Sequence, residues 1–233
     1  MTDALPVSHP RGSGIRQSIW TRPERGTRGP APTHSRTEIV EAAIALADAD
    51  GLSTVSMRAV AAALGTSAGA LYRYLSSRED LLNLMVDQVV GELRPYPETD
   101  GDWLEAMLLI AHEQLTLFRR HRWLLDVNHR TSELGPQALA WFDNHLRILQ
   151  PVRCAVTTKF ETIAMMTGVI SLFARNETTS ESITFTGVDL TAYPHLAAAF
   201  DQPPTPAPRH DLFDRTLRSL LTGLLRTEPP PQP

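Results

Sequence analysis

The chain is 233 residues long, 42% hydrophobic and 21% charged, which supplies a real core for one large domain or two small ones. No apolar run approaches the ~20 residues needed to cross a bilayer, and the first 36 residues hold no signal-peptide apolar region. The one cysteine, Cys154, excludes an internal disulfide and fits a reducing compartment, so a cytoplasmic protein with no membrane partner is expected.

The net charge of −4 argues against nucleic acid only as a sum. Residues 1–36 carry Arg11, Arg16, Arg22, Arg25, Arg28 and Arg36 against Asp3 and Glu24. Residues 54–78 carry Arg58, Arg73 and Arg78 with no acid. Local basic patches, not the global balance, set the field that a phosphate backbone meets.

Residues 1–34 are rich in Gly, Pro, Ser, Thr and Arg without hydrophobic periodicity. They read as a disordered basic arm with two apolar landmarks, Ile19 and Trp20, which either follow the arm or tuck against the protein. If the arm settles on the duplex, deleting residues 1–30 is expected to weaken DNA binding while leaving the fold and ligand affinity alone; a leader of no consequence is the alternative. From Ser35 the pattern changes. Ser35-x-x-Glu38 is a capping box, and Ile39, Ala42, Ala43 and Leu46 follow at helical spacing until Gly51. A second helix starts at Ser56 and buries Met57, Val60, Ala61 and Leu64 before Gly65. A third starts at Ser67, spans 67–75 and buries Ala70, Leu71 and Leu75. A fourth starts at Ser77, where Glu79 and Asp80 complement the helix dipole, and runs to Pro95. Beyond it, helices are expected near 101–119, 122–130, 134–150, 152–176, 189–200 and 210–226. Loops are expected at 177–188 and 203–208, and a disordered tail at 227–233.

Two short helices, 56–64 and 67–75, flank Gly65-Thr66 as a helix-turn-helix. Small residues at the start of the second helix let it approach the floor of a major groove. Tyr72, Arg73 and Tyr74 are expected to stand outward, with Arg78 placed to hold a phosphate and Ser56 and Arg58 near the backbone. The alternative for such a pair is a plain helical hairpin. The outward Tyr-Arg-Tyr run, the missing acids and the basic arm favour DNA.

The string Ile39-Val40-x-Ala42-Ala43, Ala49-Asp50-Gly51-Leu52, Ser56-Met57-Arg58-x-Val60-Ala61, Leu64 through Leu75 and Ser77-Arg78-Glu79-Asp80-Leu81-Leu82 resembles the DNA-binding domain of the TetR family of one-component transcriptional regulators. The resemblance implies DNA contacts at Arg58, Thr66, Ser67, Ala68, Gly69, Ala70, Tyr72, Arg73, Tyr74 and Arg78. Residues 101–226 more weakly resemble the C-terminal domain of the tetracycline-repressor subgroup, through Trp103, His121-Arg122, Leu134-Gly135-Pro136 and Leu212-Phe213-Asp214-x-x-Leu217. That likeness implies a ligand within each subunit and a dimer built from two late helices. The subgroup's tetracycline and magnesium residues are not matched: Arg94, Asn128 or His129, and Leu172 stand at their places.

The expected architecture is all-α. A helix-turn-helix domain over 35–80 precedes a larger helical ligand-binding and dimerisation domain over 81–226. Trp103, Phe118, Trp123, Trp141, Phe160, Met165, Met166 and Phe173 are core or pocket residues, and His112, Asn128, His129, Asn144 and Thr167 are the polar candidates. The ligand set expected is Trp103, His112, Trp123, Asn128, His129, Trp141, Phe160, Met165 and Phe173. His129 and Glu133, four apart, are too few for a metal site, and no catalytic motif or cofactor is expected. Leu212, Phe213, Leu217, Leu220, Leu221 and Leu224 form an apolar stripe too wide for a lone terminal helix, and with 152–176 it is expected to form the dimer interface. The function expected is a ligand-responsive regulator, a repressor, that binds a double-stranded palindromic operator as a homodimer and is released by a small-molecule effector. An enzyme on a helical scaffold, or a regulator without a ligand, is the alternative.

Overall fold

The computed structural model describes residues 18–21, 34–96, 101–127, 133–176, 192–200 and 209–225, and every element among them is helical. The all-α expectation holds. Side-chain caps fix the starts of the first four helices. Helix α1 (Arg36–Asp50) opens on the complete capping box: the Ser35 hydroxyl accepts from the Glu38 N–H at 3.1 Å, and the Glu38 carboxylate accepts from the Ser35 N–H at 2.6 Å. The Ser35 N–H and the Ser35 hydroxyl, both donating to the Glu38 carboxylate, hold that carboxyl below the usual range. The helix ends at Gly51, whose φ of 84° favours glycine. Ser56 caps α2 (Met57–Ala63), Ser67 caps α3 (Ala68–Leu71) and Ser77 caps α4 (Arg78–Val90), each accepting a backbone N–H at 3.1–3.2 Å.

The third helix is shorter than the sequence predicts. Regular α geometry stops at Leu71, and the chain tightens: the Arg73 N–H reaches Ala70 O and the Tyr74 N–H reaches Leu71 O, at 3.3 and 2.9 Å. In such three-residue turns side chains three apart eclipse. Tyr74 therefore swings onto the side of Leu71 and is only 8% exposed.

Ile39, Val40, Ala43, Val60, Leu71, Leu75, Leu81 and Met85 are buried in the core of the first four helices. A residue from far upstream joins them. Residues Ser18–Thr21 form a turn, and Ile19 is 1% exposed within this core. The Ser18 hydroxyl donates to Glu133 at 2.7 Å, and Trp20 packs beside Gly135. Of the two readings of Ile19 and Trp20, the one that tucks them against the protein holds: residues 18–21 depart from the disordered arm expected over 1–34, because burial of Ile19 outweighs the polar composition around it. The rest of that segment, with the tail over 227–233, lies outside the described residues.

The second half is built from α5 (Trp103–Arg120), α6 (Pro136–Ile148), α7 (Val156–Asn176), α8 (Pro194–Phe200) and α9 (Arg209–Leu224). Between α5 and α6, where a helix over 122–130 is expected, a 3-10 turn covers Arg122–Asp126; residues 128–132 lie outside the described residues. Asp87 of α4 acts as the N-terminal acceptor of α6, taking the Gln137 and Ala138 N–H groups at 3.0 Å each. Burial pushes its carboxyl pKa up, against those two bonds. Gly135 is required at this joint: a Cβ there would strike the Asp87 carboxylate and come within 2.6 Å of the Trp20 ring.

Helix α5 packs against both α7 and α9. A second core contains Met107, Ile110, Ala111, Ile163, Met166, Ile170, Phe213, Leu217 and Leu221. Arg218 of α9 clasps Glu105 of α5 with two bonds of 2.6 and 3.0 Å. The apolar stripe of α9, expected to form a dimer interface as a whole, is divided between two sides of the helix. Phe213, Leu217 and Leu221 face the chain's own core and are at most 5% exposed. Leu212 and Leu224 stand on the exposed side of α9, with Leu220 half-buried.

Candidate nucleic-acid interface and effector cavity

The turn between α2 and α3 is closed by the Thr66 N–H to Ala61 O at 2.9 Å and the Gly65 N–H to Ala62 O at 3.1 Å. Gly65, with φ of 65°, takes a conformation that a Cβ would strain. The result is a short, sharply turned helix pair with its inner side chains, Val60, Ala61 and Leu71, fully packed. The outer surface carries Arg58, Ser67, Gly69, Tyr72 and Arg73, all exposed, with Thr66, Ala68 and Ala70 half-buried between them. A Cβ at Gly69 would meet only the Ser67 hydroxyl, at 4.0 Å, so the start of α3 presents little but backbone and hydroxyl. Such a surface suits close approach to a groove floor.

Arg78 is tied into the protein. Its Nε donates to Val55 O at 2.8 Å and its Nη2 to Leu52 O at 3.1 Å. It therefore braces the α1–α2 loop against α4, a role the sequence did not disclose. The buried Tyr74 likewise departs from the outward Tyr-Arg-Tyr run. Tyr72, 55% exposed, and Arg73 keep that position.

A polar joint links this domain to the next. His121, buried at the end of α5, sets Nδ1 2.8 Å from Asp48 Oδ1 on α1 and Nε2 3.2 Å from Glu92 Oε1 after α4. The Trp123 indole N–H donates to the same Asp48 oxygen at 2.8 Å, and Arg120 pairs with Glu92 at 2.8 Å. One carboxylate of the DNA-binding domain is thus gripped by two side chains beyond it.

Next to that joint lies a cavity of about 500 Å³, inside the ordinary range for small-molecule sites. Val86 and Val90 of α4, Gln114, Leu117 and Phe118 of α5, Leu124 of the Arg122–Asp126 turn, Trp141 and Phe142 of α6, and Ile163 and Thr167 of α7 are in its wall. The Gln114 amide nitrogen donates to Thr167 Oγ1 at a long 3.4 Å. Its carbonyl oxygen and the Trp141 indole nitrogen are buried without a partner among the described residues. Behind Trp141, His145 is wholly buried and donates from Nδ1 to Trp141 O at 2.7 Å. Burial pushes its pKa down to about 4, so it is neutral near pH 7.

Residues 39–85 match the family described as "Bacterial regulatory proteins, tetR family", and residues 95–227 match "Tetracyclin repressor-like, C-terminal domain". The chain belongs to the TetR family. It is 39% identical over 160 residues to the HTH-type transcriptional repressor DrrR1 of Streptomyces coeruleorubidus, a match covering 68% of this chain and 59% of that protein. The chain spans a little over half the length of the curated relatives it matches. Among solved structures it is similar to the Streptomyces coelicolor TetR family protein ActR in complex with actinorhodin, at 23% identity and a TM-score of 0.68, covering 82% of this chain and 97% of that one. It is also similar to BioQ with its double-stranded DNA operator, at 16% identity and a TM-score of 0.60, covering 83% and 99%. At these identities the structural likeness speaks for the TetR-type fold alone.

Of the expected ligand residues that are described, only Trp141 lines the cavity; Phe118 and Thr167, singled out for the same reason, join it. Trp123 is committed to Asp48 and the first core. His112 pairs with Asp214 at 2.7 Å and, with Phe173, packs against Phe213. Trp103 packs on the second core. Phe160 and Met165 are exposed at 43% and 59%, although Phe160 touches Phe142 of the wall. Asn128 and His129 lie outside the described residues. The sequence missed Gln114, Phe142 and the α4 valines. Their helical spacing alone does not tell a cavity wall from a filled core.

Proposed function

We propose that this TetR-family chain is a ligand-responsive repressor that binds a palindromic operator as a homodimer and is released when a small molecule fills the cavity. The observation that carries this reading is the cavity's position. Its wall includes Val86 and Val90 of α4, the helix that closes the DNA-binding core with Leu81 and Met85. Leu124, also in the wall, adjoins Trp123, which holds Asp48 of α1. A ligand that prefers one spacing of α4 and the Arg122–Asp126 turn biases the DNA-binding domain through both, and the coupling is reciprocal, typically ~1–3 kcal/mol. The relatives support the same reading: DrrR1 is a transcriptional repressor, ActR has been solved with actinorhodin, and BioQ with its operator.

Within this reading Arg58, Thr66, Ser67, Ala68, Gly69, Ala70, Tyr72 and Arg73 meet the DNA, and Arg78 and Tyr74 position that surface from within. The homodimer forms through the exposed apolar side chains Met165 and Leu172 of α7 and Leu212 and Leu224 of α9, setting two recognition elements about 34–36 Å apart. The protein acts in the cytoplasm, and no enzymatic step is assigned to it. The test begins with duplexes selected from a random library by the full-length chain. The expected product is an inverted repeat bound by two copies of the chain in sedimentation. Selection of asymmetric sites bound by one copy would refute the reading.

A further inference from the structure

Building on the reading of the cavity as the effector site, the structure points to the chemistry of its ligand. Apart from Gln114 and Thr167, each described lining residue is Val, Leu, Ile, Ala, Gly, Phe or Trp. An ionised group entering this wall leaves its hydration behind and meets no counter-charge among the described lining residues. The volume, about 500 Å³, accommodates a fused-ring molecule of drug size. Phe118, Trp141 and Phe142 offer aromatic faces and edges to it.

Two wall residues carry buried polar groups without a partner among the described residues: Trp141, whose indole N–H asks only for an acceptor, and Gln114, whose amide asks for more. Gln114 is buried, its amide nitrogen makes only the long contact to Thr167, and its carbonyl oxygen has no donor among the described residues. A buried amide left in that state is unfavourable unless a ligand or water completes it. A hydroxyl is the small group that both donates and accepts, so it satisfies the amide in either orientation. We propose that the cavity takes an uncharged, largely apolar, ring-containing ligand whose hydroxyl hydrogen-bonds Gln114, making Gln114 the residue that selects among such molecules.

Four matched probes test this on the full-length chain: anthracenemethanol, methylanthracene, anthracenecarboxylate and (aminomethyl)anthracene. Binding is followed by calorimetry, and quenching of tryptophan emission is compared with Trp141→Phe to place the probe in the cavity. The alcohol is expected to bind about 100-fold tighter than either ion. Gln114→Leu, close in volume, is expected to weaken the alcohol about tenfold and leave the methyl compound unchanged. The proposal is overturned if either ion comes within tenfold of the alcohol, if Gln114→Leu spares the alcohol or weakens both neutral probes alike, if Trp141→Phe leaves the quenching unchanged, or if no probe binds. Release of a selected duplex is measured separately with the same alcohol. Binding with the expected pattern but without any change in DNA affinity keeps the ligand chemistry and removes the effector role.

Discussion

Replacing Ile19 by Ala probes the contact that ties the upstream segment to the core of the first four helices. The residue precedes the capping box of α1 by 16 positions, within a Gly-, Pro- and Arg-rich stretch, yet it is 1% exposed and packed into the core of the first four helices. The substitution removes three buried carbon atoms at about 0.8 kcal/mol each, and the cavity left behind adds to that loss. The expected cost is about 3 kcal/mol, a large share of the ~5–15 kcal/mol that holds a typical domain together. Urea unfolding at fixed protein concentration reads it as a lower midpoint with an unchanged slope. Deletion of residues 1–30 removes Ile19 and Trp20 together, so it is expected to destabilise at least as much and not to act as a clean test of DNA contacts by the arm. A loss below about 0.5 kcal/mol in Ile19→Ala would show that the turn is not part of the core.

Four further outcomes are expected. Tyr72→Ala and Arg73→Ala should each weaken operator binding by about 1–3 kcal/mol at matched salt with the urea midpoint unchanged, whereas Tyr74→Ala should lower the midpoint by about 3 kcal/mol of stability; unchanged affinity in the first two would remove them from the interface. Met165→Glu combined with Leu224→Glu should give a folded monomer in sedimentation, while Leu217→Glu should unfold the chain, so an intact dimer in the double variant means another face is used. Asp48→Ala leaves the His121 and Trp123 donors without their shared acceptor and should cost about 1–3 kcal/mol, read by thermal unfolding; a stability equal to that of the parent chain would mean that the joint holds nothing. The His145 pKa, pushed down to about 4 by burial, means that the unfolded chain takes up a proton below about pH 6.5 that the folded chain resists. Stability from this residue is therefore complete above that pH and falls by on the order of 3 kcal/mol as pH drops to about 4. In His145→Leu that part of the acid dependence should vanish from urea midpoints compared at pH 7 and pH 4.5, and a variant with the parent's profile would refute the assignment.

What the sequence discloses and what it hides divide along one physical line. Caps and turns are local: Ser35, Ser56, Ser67 and Ser77 bond within three residues of themselves, and Gly65 marks its turn by its own backbone. They are legible from a window of a few residues, and so was the helix-turn-helix. The side a residue faces at a tightened turn is not, which is why Tyr74 was expected beside Tyr72 when i,i+3 eclipsing sets it beside Leu71 instead. The cavity is less local still. An apolar helix stripe reads the same whether its side chains meet one another or enclose a void, so Val86, Phe142 and Ile163 carry no mark of the site they line, and the conspicuous aromatics Trp103, Trp123 and Phe173 are spent on packing. The stripe on α9 shows the same ambiguity, since Leu217 and Leu221 fall inside the chain and Leu212 and Leu224 outside it, all within one apolar run. Ile19 is the extreme case: it sits in a stretch with few apolar residues beyond Ile15 and Trp20, and the core it joins is formed by residues far along the chain, such as Met85 and Trp123. The contacts that would connect an effector to DNA in this protein, Asp48 to Trp123 and α4 to the cavity wall, span 75 residues in the first case. Coupling between sites is thus the property least visible in a short window, and the one whose test depends most on named pairs.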